Sequence, residues 1–425
     1  MKRIVILGGG FAGIAVAQRL EHRLNPDEAE LVLISRENFS LFTPMLPEVA
    51  SGALDVRQVA TPIRSQLRRT RFILAEFTAL DTLSRAVSFT HVLSGESERL
   101  EYDQLVLGLG SSISTFGLPG VEEHAFPLKT LEDAGTLRNR LMWLLERADA
   151  SDDAAVRERL LTVVVVGGGF TGVETAGEMS DLLHRVARFY PNVAAGDARI
   201  VLVEGGATLL PGLPAKMGEY ATRALVRRGV EVRTGVPVTA ASEDALDLAD
   251  GSRIPTATIV WSAGVKPSPA IAAAQIPHGK GGAVVTAPDM SVPGFAGLWA
   301  LGDAAAIPNG SGGFYPPTAQ HAIREGPVVA DNVVATLRDL PTSPFRFTSL
   351  GMMASLGGRR AVAQLPGDRV LTGFAAWFLW RGYYLARLPG LDRKLRVAFE
   401  WALDLLFPRD IAVLRVYLDG LRAEP

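Results

Sequence analysis

Two stretches of this sequence, Ile4–Gln18 (IVILGGGFAGIAVAQ) and Val163–Glu178 (VVVVGGGFTGVETAGE), share one grammar. Each opens on four apolar residues and runs into G-x-G-x-x-G, at Gly8, Gly10 and Gly13 and again at Gly167, Gly169 and Gly172. A short, continuously apolar run suits a strand buried on both faces of a parallel sheet. The glycines let the backbone turn tightly and approach a pyrophosphate, which the N-terminal N–H groups of the following helix then face. One such turn is weak evidence, but two of them, each between a strand and a helix, constrain the fold strongly. The expected class is α/β, with two Rossmann-like dinucleotide-binding domains.

The next strand follows each turn, at Leu31–Ile34 and at Arg199–Val203. The second ends in Glu204, a carboxylate suited to a ribose 2′,3′-diol and repelled by a 2′-phosphate. Gly205-Gly206-Ala207 supplies no arginine to hold a phosphate there, so NADH is expected over NADPH. Two dinucleotides on one chain imply one held permanently and one that visits, the plan of a flavoprotein reduced by a nicotinamide cofactor. The chain has no cysteine, which removes disulfide frameworks, Cys-ligated clusters and thiol nucleophiles. Its six histidines lack any H-E-x-x-H spacing, so no metal is expected. A net charge of −2 gives no argument for nucleic acid. Lys2 and Arg3 before an apolar run outline a signal peptide, but three glycines at 8–10 interrupt it. It reads as a buried first strand, and the protein as one that stays inside the cell.

Three more stretches extend the pattern: Leu105-Val-Leu-Gly-Leu-Gly110-Ser111, Ile259-Val-Trp-Ser-Ala-Gly264 and Trp299-Ala-Leu-Gly302-Asp303. Together they resemble the two-dinucleotide-binding flavoprotein superfamily, in which the last motif places its aspartate on the ribitol of FAD. The plainer role for Asp303 is a helix cap before Ala304-Ala305-Ala306. Without cysteines, the disulfide reductases and sulfide:quinone reductases of that superfamily are excluded. Longer strings resemble the type II NADH dehydrogenases, the single-subunit NADH:quinone oxidoreductases: FSLFTPMLPEVASG (39–52), YDQLVLGLGSS (102–112), FGLPGVEEHAFPLKTLEDA (116–134), GGGFTGVETAGE (167–178) and PPTAQHAIREG (316–326).

This resemblance spans essentially the whole chain and implies noncovalent FAD, NADH as substrate and a membrane quinone as acceptor. It implies cofactor contacts from Gly8, Gly10, Phe11, Ala12, Gly13, Ser35, Arg36, Pro44, Gly110, Asp303, Ala319 and Gln320, and from Gly167, Gly169, Phe170, Thr171, Gly172, Glu174, Glu204 and Gly264. Glu174 and Gln320 are the expected catalytic residues. Glu174, read as lying in the first turn of the second dinucleotide helix, would orient the nicotinamide carboxamide or relay protons during quinone reduction. Glu178, one turn on along the same face, could extend such a relay, but reads first as an ordinary helix-surface pair. Gln320 would donate its amide to a quinone carbonyl, with local helix-start bonding as the alternative. The chain departs from the family twice. Arg324 stands where many members carry a second glutamine, and Ser35 stands where the FAD strand should end in an acid. Ser35, Arg36 and Glu37 all remain open as substitutes.

The tail changes character at Gly373. Three of the six tryptophans (377, 380 and 401) fall there, interleaved with Arg381, Arg387, Arg393, Lys394 and Arg396 and divided by Pro389-Gly390. Two amphipathic segments of this kind suit a helix lying in the membrane plane, or a helical pair packed on the body or on a dimer partner. The resemblance favours peripheral attachment at the cytoplasmic face of the cell membrane, with a homodimer left open. The expected domains are FAD-binding at 1–115 and 280–345, NADH-binding at 116–279, and membrane-associating at 346–425. Two rivals keep both nucleotide sites: a soluble NADH-dependent flavoprotein reductase with another acceptor, and a non-enzymatic NADH sensor.

Overall fold

A computed structural model describes residues 1–414 except 195, 273 and 368; the last part of the expected membrane-associating region, 415–425, lies outside the described residues. The chain divides into two bodies. The first comprises Met1–Leu41, Ala60–Ser112 and Val265–Thr348, the second Phe42–Val59, Ile113–Gly264 and the chain from Ser349 onward. These divisions differ from the expected boundaries: the first body ends at Ser112 and Thr348 instead of 115 and 345, and the chain from Ser349 falls in the second body instead of standing apart. Residues 265–279 join the first body, and residues 42–59 join the second, where the short Leu46–Ala50 helix packs on the Leu131–Asp149 and Phe170–Val186 helices.

In the first body, strand Lys2–Leu7 lies parallel between Ala29–Ser35 and Gln104–Leu107. Strand Arg71–Asp81 extends the sheet on one side and Leu298–Ala300 on the other. Two antiparallel strands, Ala86–His91 and Ser97–Glu101, finish it. Ile4, Val5, Ile6 and Leu7 are all fully buried, as a strand covered on both faces requires. The Phe11–Arg23 helix packs against the Ala319–Leu337 helix, with Ile14, Val16 and Leu20 meeting Val329 and Val333 in one core. Gly326 permits the close approach, because a Cβ there would stand 2.5 Å from that of Ala15.

The second body repeats the arrangement. Thr162–Val166 lies parallel between Arg199–Glu204 and Thr258–Trp261, with Val230–Thr234 and Ala125–Pro127 at the edges. From Met353 a three-stranded antiparallel sheet (Met353–Ser355, Ala361–Leu365, Arg369–Gly373) leads into helices Phe374–Arg387 and Leu391–Leu406. Gly390, at φ +79°, breaks them apart. On one side of this pair Trp377, Trp380 and Trp401 are buried, while Phe374, Phe378, Leu395, Phe399 and Leu406 are each more than 60% exposed. Gly177, inside the Phe170–Val186 helix, faces the backbone at Leu356 and Gly357. A methyl there would stand 2.5 Å from the Leu356 carbonyl carbon, and one on Gly357 would collide with the Gly177 carbonyl. No described helix is long and apolar enough to cross a membrane.

Candidate active site

The first glycine turn is shaped by what a side chain would hit. Gly8 sits at φ +103°, and a Cβ on it would collide with the Gly108 carbonyl; one on Gly13 would collide with the carbonyl of Gly8. Gly10 is the N-cap of the Phe11–Arg23 helix, has no side-chain cap, and has no heavy atom within 4 Å of where its Cβ would stand. The helix therefore begins as open N–H groups beside open space, a cradle for a phosphate oxygen. Phe11 and Ala12 form its first turn. Ser35 ends the neighbouring strand, its Oγ accepting the Glu37 N–H at 3.4 Å, and Arg36 stands 3.9 Å from Glu37.

Asp303 lies in a short 3₁₀ turn, Gly302–Ala304, and accepts the Ser111 hydroxyl at 2.5 Å. Gly302 donates its N–H to Glu325 at 2.6 Å. Glu325 is only 2% exposed, and burial pushes its carboxyl up to about 7. Sequence reading missed this group, whose only signal was its place in the PPTAQHAIREG string. Gly110, at φ +69°, ends the turn after the Gln104–Leu107 strand. Ala319 and Gln320 open the Ala319–Leu337 helix after the N-cap Thr318. Arg324, the family departure, reaches back to Gln320. It donates to the Gln320 carbonyl at 2.9 Å, lies 3.5 Å from Oε1, and stacks 5.1 Å from the Phe347 ring centre.

The second turn has the same physics. Gly167 sits at φ +109°, a Cβ on Gly172 would collide with the Gly167 carbonyl, and the N-cap Gly169 has no side-chain cap. Phe170 and Thr171 form the first turn. Glu204 fastens the loop: Oε2 accepts the Gly168 N–H at 2.5 Å and Oε1 the Gly206 N–H at 2.6 Å. Its counterpart in the first body is Ser35, since Gly167 and Gly8 each donate at 2.8 Å to the residue before these two. Gly264, at φ +75°, leaves room for the Phe116 ring. Pro44 belongs to the second body too, in the Thr43–Met45 turn.

Glu174 corrects the expectation. It is the fifth helical residue, in the second turn; the first turn carries no acid. It is 5% exposed, and its Oε1 accepts the Ser355 N–H at 2.9 Å and the Trp380 indole N–H at 3.1 Å. Burial pushes its carboxyl up to about 8; those two bonds oppose the rise, and Glu48 and Glu178 add to it. Glu178 is not a surface residue. It is 7% exposed and accepts from Arg409 at 2.9 Å and from the Ser51 hydroxyl at 3.1 Å.

Residues 174, 178, 181 and 185 thus form one stripe along the helix at helical spacing, and the chain beyond Ser349 supplies a partner to each. Gly358 donates to Asp181 at 2.6 Å, and Asp404 accepts from Arg185 at 3.1 Å. Glu48, also unforeseen, is 3% exposed, accepts the Trp401 indole N–H at 3.2 Å and stands 3.7 Å from Arg381. Arg381 itself lies between Trp377 and Trp401, 4.4 Å from each ring. Burial pushes Glu48 up to about 8 against the pull of Arg381. The second body therefore holds carboxylic acids that keep their protons near neutral pH.

Comparison with known proteins follows the same lines. Residues 2–326 match the pyridine nucleotide-disulphide oxidoreductase family, and residues 350–410 match the NDH2 C-terminal domain. The chain is 32% identical over 418 residues to a probable NADH dehydrogenase of Dictyostelium discoideum, covering 97% of this chain and 91% of that one. It is 32% identical to a type II NADH:quinone oxidoreductase of Mycobacterium tuberculosis, covering 96% and 89%. In fold it resembles the NDH2 structure from Plasmodium falciparum solved with NADH, with a TM-score of 0.89 at 20% identity over 97% and 99% of the two chains.

Proposed function

We infer how this chain works from one premise: it belongs to the type II NADH dehydrogenases, within the pyridine nucleotide-disulphide oxidoreductase family. It is an FAD-dependent NADH:quinone oxidoreductase. FAD, when bound, supplies the redox chemistry, taking a hydride from NADH and passing two electrons to the quinone. The observation that carries the reading is the pair of uncapped glycine turns, both open to an anion. The residues around the first turn fit FAD. The N–H groups from Gly10 to Gly13 would hold its pyrophosphate, and Asp303, oriented by Ser111, would bind its ribityl hydroxyls. Those from Gly169 to Gly172 would hold NADH, with Glu204 accepting from the ribose diol while it fastens its loop.

Glu174 handles a proton. One oxygen is fixed by Ser355 and Trp380, and Oε2 accepts nothing from any described residue, so it is the atom at which a proton is exchanged. Quinone reduction consumes one proton beyond the hydride, and a carboxyl titrating near 8 holds one at neutral pH. Gln320 would donate its amide to the quinone, with Arg324 orienting it. The exposed aromatic and aliphatic face of the two C-terminal helices, edged by Arg387 and Arg396, suits the headgroup boundary of a bilayer on the side where NADH is made. The test is anaerobic reduction of the bound flavin by NADH, followed by reoxidation with a short-chain quinone. Flavin that NADH reduces but quinone leaves reduced would refute the quinone assignment.

A further inference from the structure

Trp380 is 2% exposed and sits on the same helix as Phe378, which is 70% exposed. Its indole N–H points to the Glu174 carboxylate at 3.1 Å, alongside the Ser355 N–H at 2.9 Å. Both bonds end on Oε1, so among the described residues the carboxyl is held by one oxygen and open at the other. Trp401 repeats the device one helix later, donating to Glu48. The rings of Trp380 and Trp401 lie 6.4 Å apart, and Tyr384 packs edge-on to Trp380 at 4.7 Å. A buried apolar pocket needs the indole ring but not its N–H. Here the N–H is spent on a buried acid that has only one other donor among the described residues.

We propose that Trp380 is a positioning residue of the quinone reaction: it fixes the rotamer of Glu174 and sets the pH at which Glu174 gives up its proton. The proposal rests on the reading of Glu174 as the proton-exchanging residue. A neutral donor bonded to a carboxylate stabilises the ionised form. Losing it leaves Glu174, among the described residues, with the Ser355 N–H alone, beside Glu48 and Glu178, whose ionised forms oppose its own, and Tyr384. Arg381 and Arg409 engage Glu48 and Glu178 rather than Glu174, so neither compensates. The protonated form of Glu174 then persists to higher pH. One hydrogen bond to a charged group is equivalent to about one to two pH units.

Two replacements separate the bond from the packing. Trp380→Phe removes the N–H and some volume. Benzothienylalanine at 380 keeps the ring shape and replaces the N–H by sulfur, so it reports on the bond even if Trp380→Phe folds poorly. Two readouts are taken on the holoenzyme: the pH profile of flavin reoxidation by quinone, and the infrared carbonyl band of the protonated Glu174, assigned by its loss in Glu174→Gln. Where protonated Glu174 is required, the rate falls as pH rises through its pKa. In both replacements the fall and the infrared titration should move to higher pH by about one to two units, with NADH reduction of the flavin little changed. In a Glu174→Gln background the replacement at 380 should shift nothing further. If the limb persists in Glu174→Gln, the reading of Glu174 itself fails. If it vanishes there but stays in place in the benzothienyl protein, Trp380 is only packing and the proposal is wrong.

Discussion

Replacing Arg409 with methionine should destabilise the second body by an amount that depends on pH. Arg409 is 3% exposed and pairs with Glu178 at 2.9 Å and with Asp404 at 3.1 Å. Its guanidinium also donates to the Ser51 and Glu178 carbonyls. Breaking a buried ion pair from one side costs about 3–5 kcal/mol, because the remaining charge is left without compensation. Asp404 keeps Arg185 at 3.1 Å, so the deficit falls on Glu178 and should sit near the lower end, about 3 kcal/mol. Burial already raises the Glu178 carboxyl above its ordinary 4.5, and without Arg409 it rises further. A carboxyl raised in the folded state stabilises fully below its unfolded pKa, and that contribution is lost as pH climbs to the folded value. The deficit should therefore be small near pH 4.5 and largest above neutrality.

Urea unfolding followed by tryptophan fluorescence measures it, because five of the six tryptophans lie in the second body. Adding Glu178→Gln should recover most of the loss above neutrality, since the unpaired charge is then gone. A deficit equal at both pH values, or a double variant no better than the single one, would refute the electrostatic account.

Glu204→Gln should narrow the preference for NADH over NADPH. It should also raise the KM for NADH about tenfold, since one charge-assisted bond to the Gly168–Gly206 loop is lost; an unchanged ratio in steady-state assays would assign the ribose to another residue. Gly13→Ala drives a methyl into the Gly8 carbonyl, so the protein should purify with little FAD, and a full flavin spectrum would overturn the cradle. Membrane attachment is best tested with Phe378→Glu and Phe399→Glu together, which should release the protein from lipid vesicles while NADH oxidation by water-soluble acceptors continues. Unchanged vesicle binding would refute the anchor. Ending the chain near Thr372 is a poorer test, because it also removes Trp380, Trp401 and Arg409 from buried carboxyls.

The legible parts of this fold were the local ones. A β-branched run, a glycine at φ above 100° and the helix after it are dictated within about ten residues, so both dinucleotide turns could be read from the string. The buried ionic chain could not. Glu174 meets Trp380 across 206 residues, Glu178 meets Arg409 across 231, and Glu48 meets Trp401 across 353. Helical spacing alone cannot tell a solvated Glu178 from one buried under a distant segment, and a surface pair is the default for two glutamates one turn apart. Glu174 lies in the second turn, not the first, because the helix begins already at Phe170, before the last glycine of the motif, Gly172. Ser35 and Glu204 occupy matching positions, yet only the glutamate can reach both loop amides.

The contact of Gly177 with Leu356 and Gly357 has a mechanical consequence. Side chains yield by changing rotamer, but here backbone meets backbone and nothing between them can give. Sliding the C-terminal sheet along the nucleotide helix would drive carbonyl oxygen into peptide carbon, so the seam should resist shear far more stiffly than an ordinary side-chain interface. Torque applied to the last two helices would then pass through this seam into the helix that begins at Phe170, without being absorbed on the way.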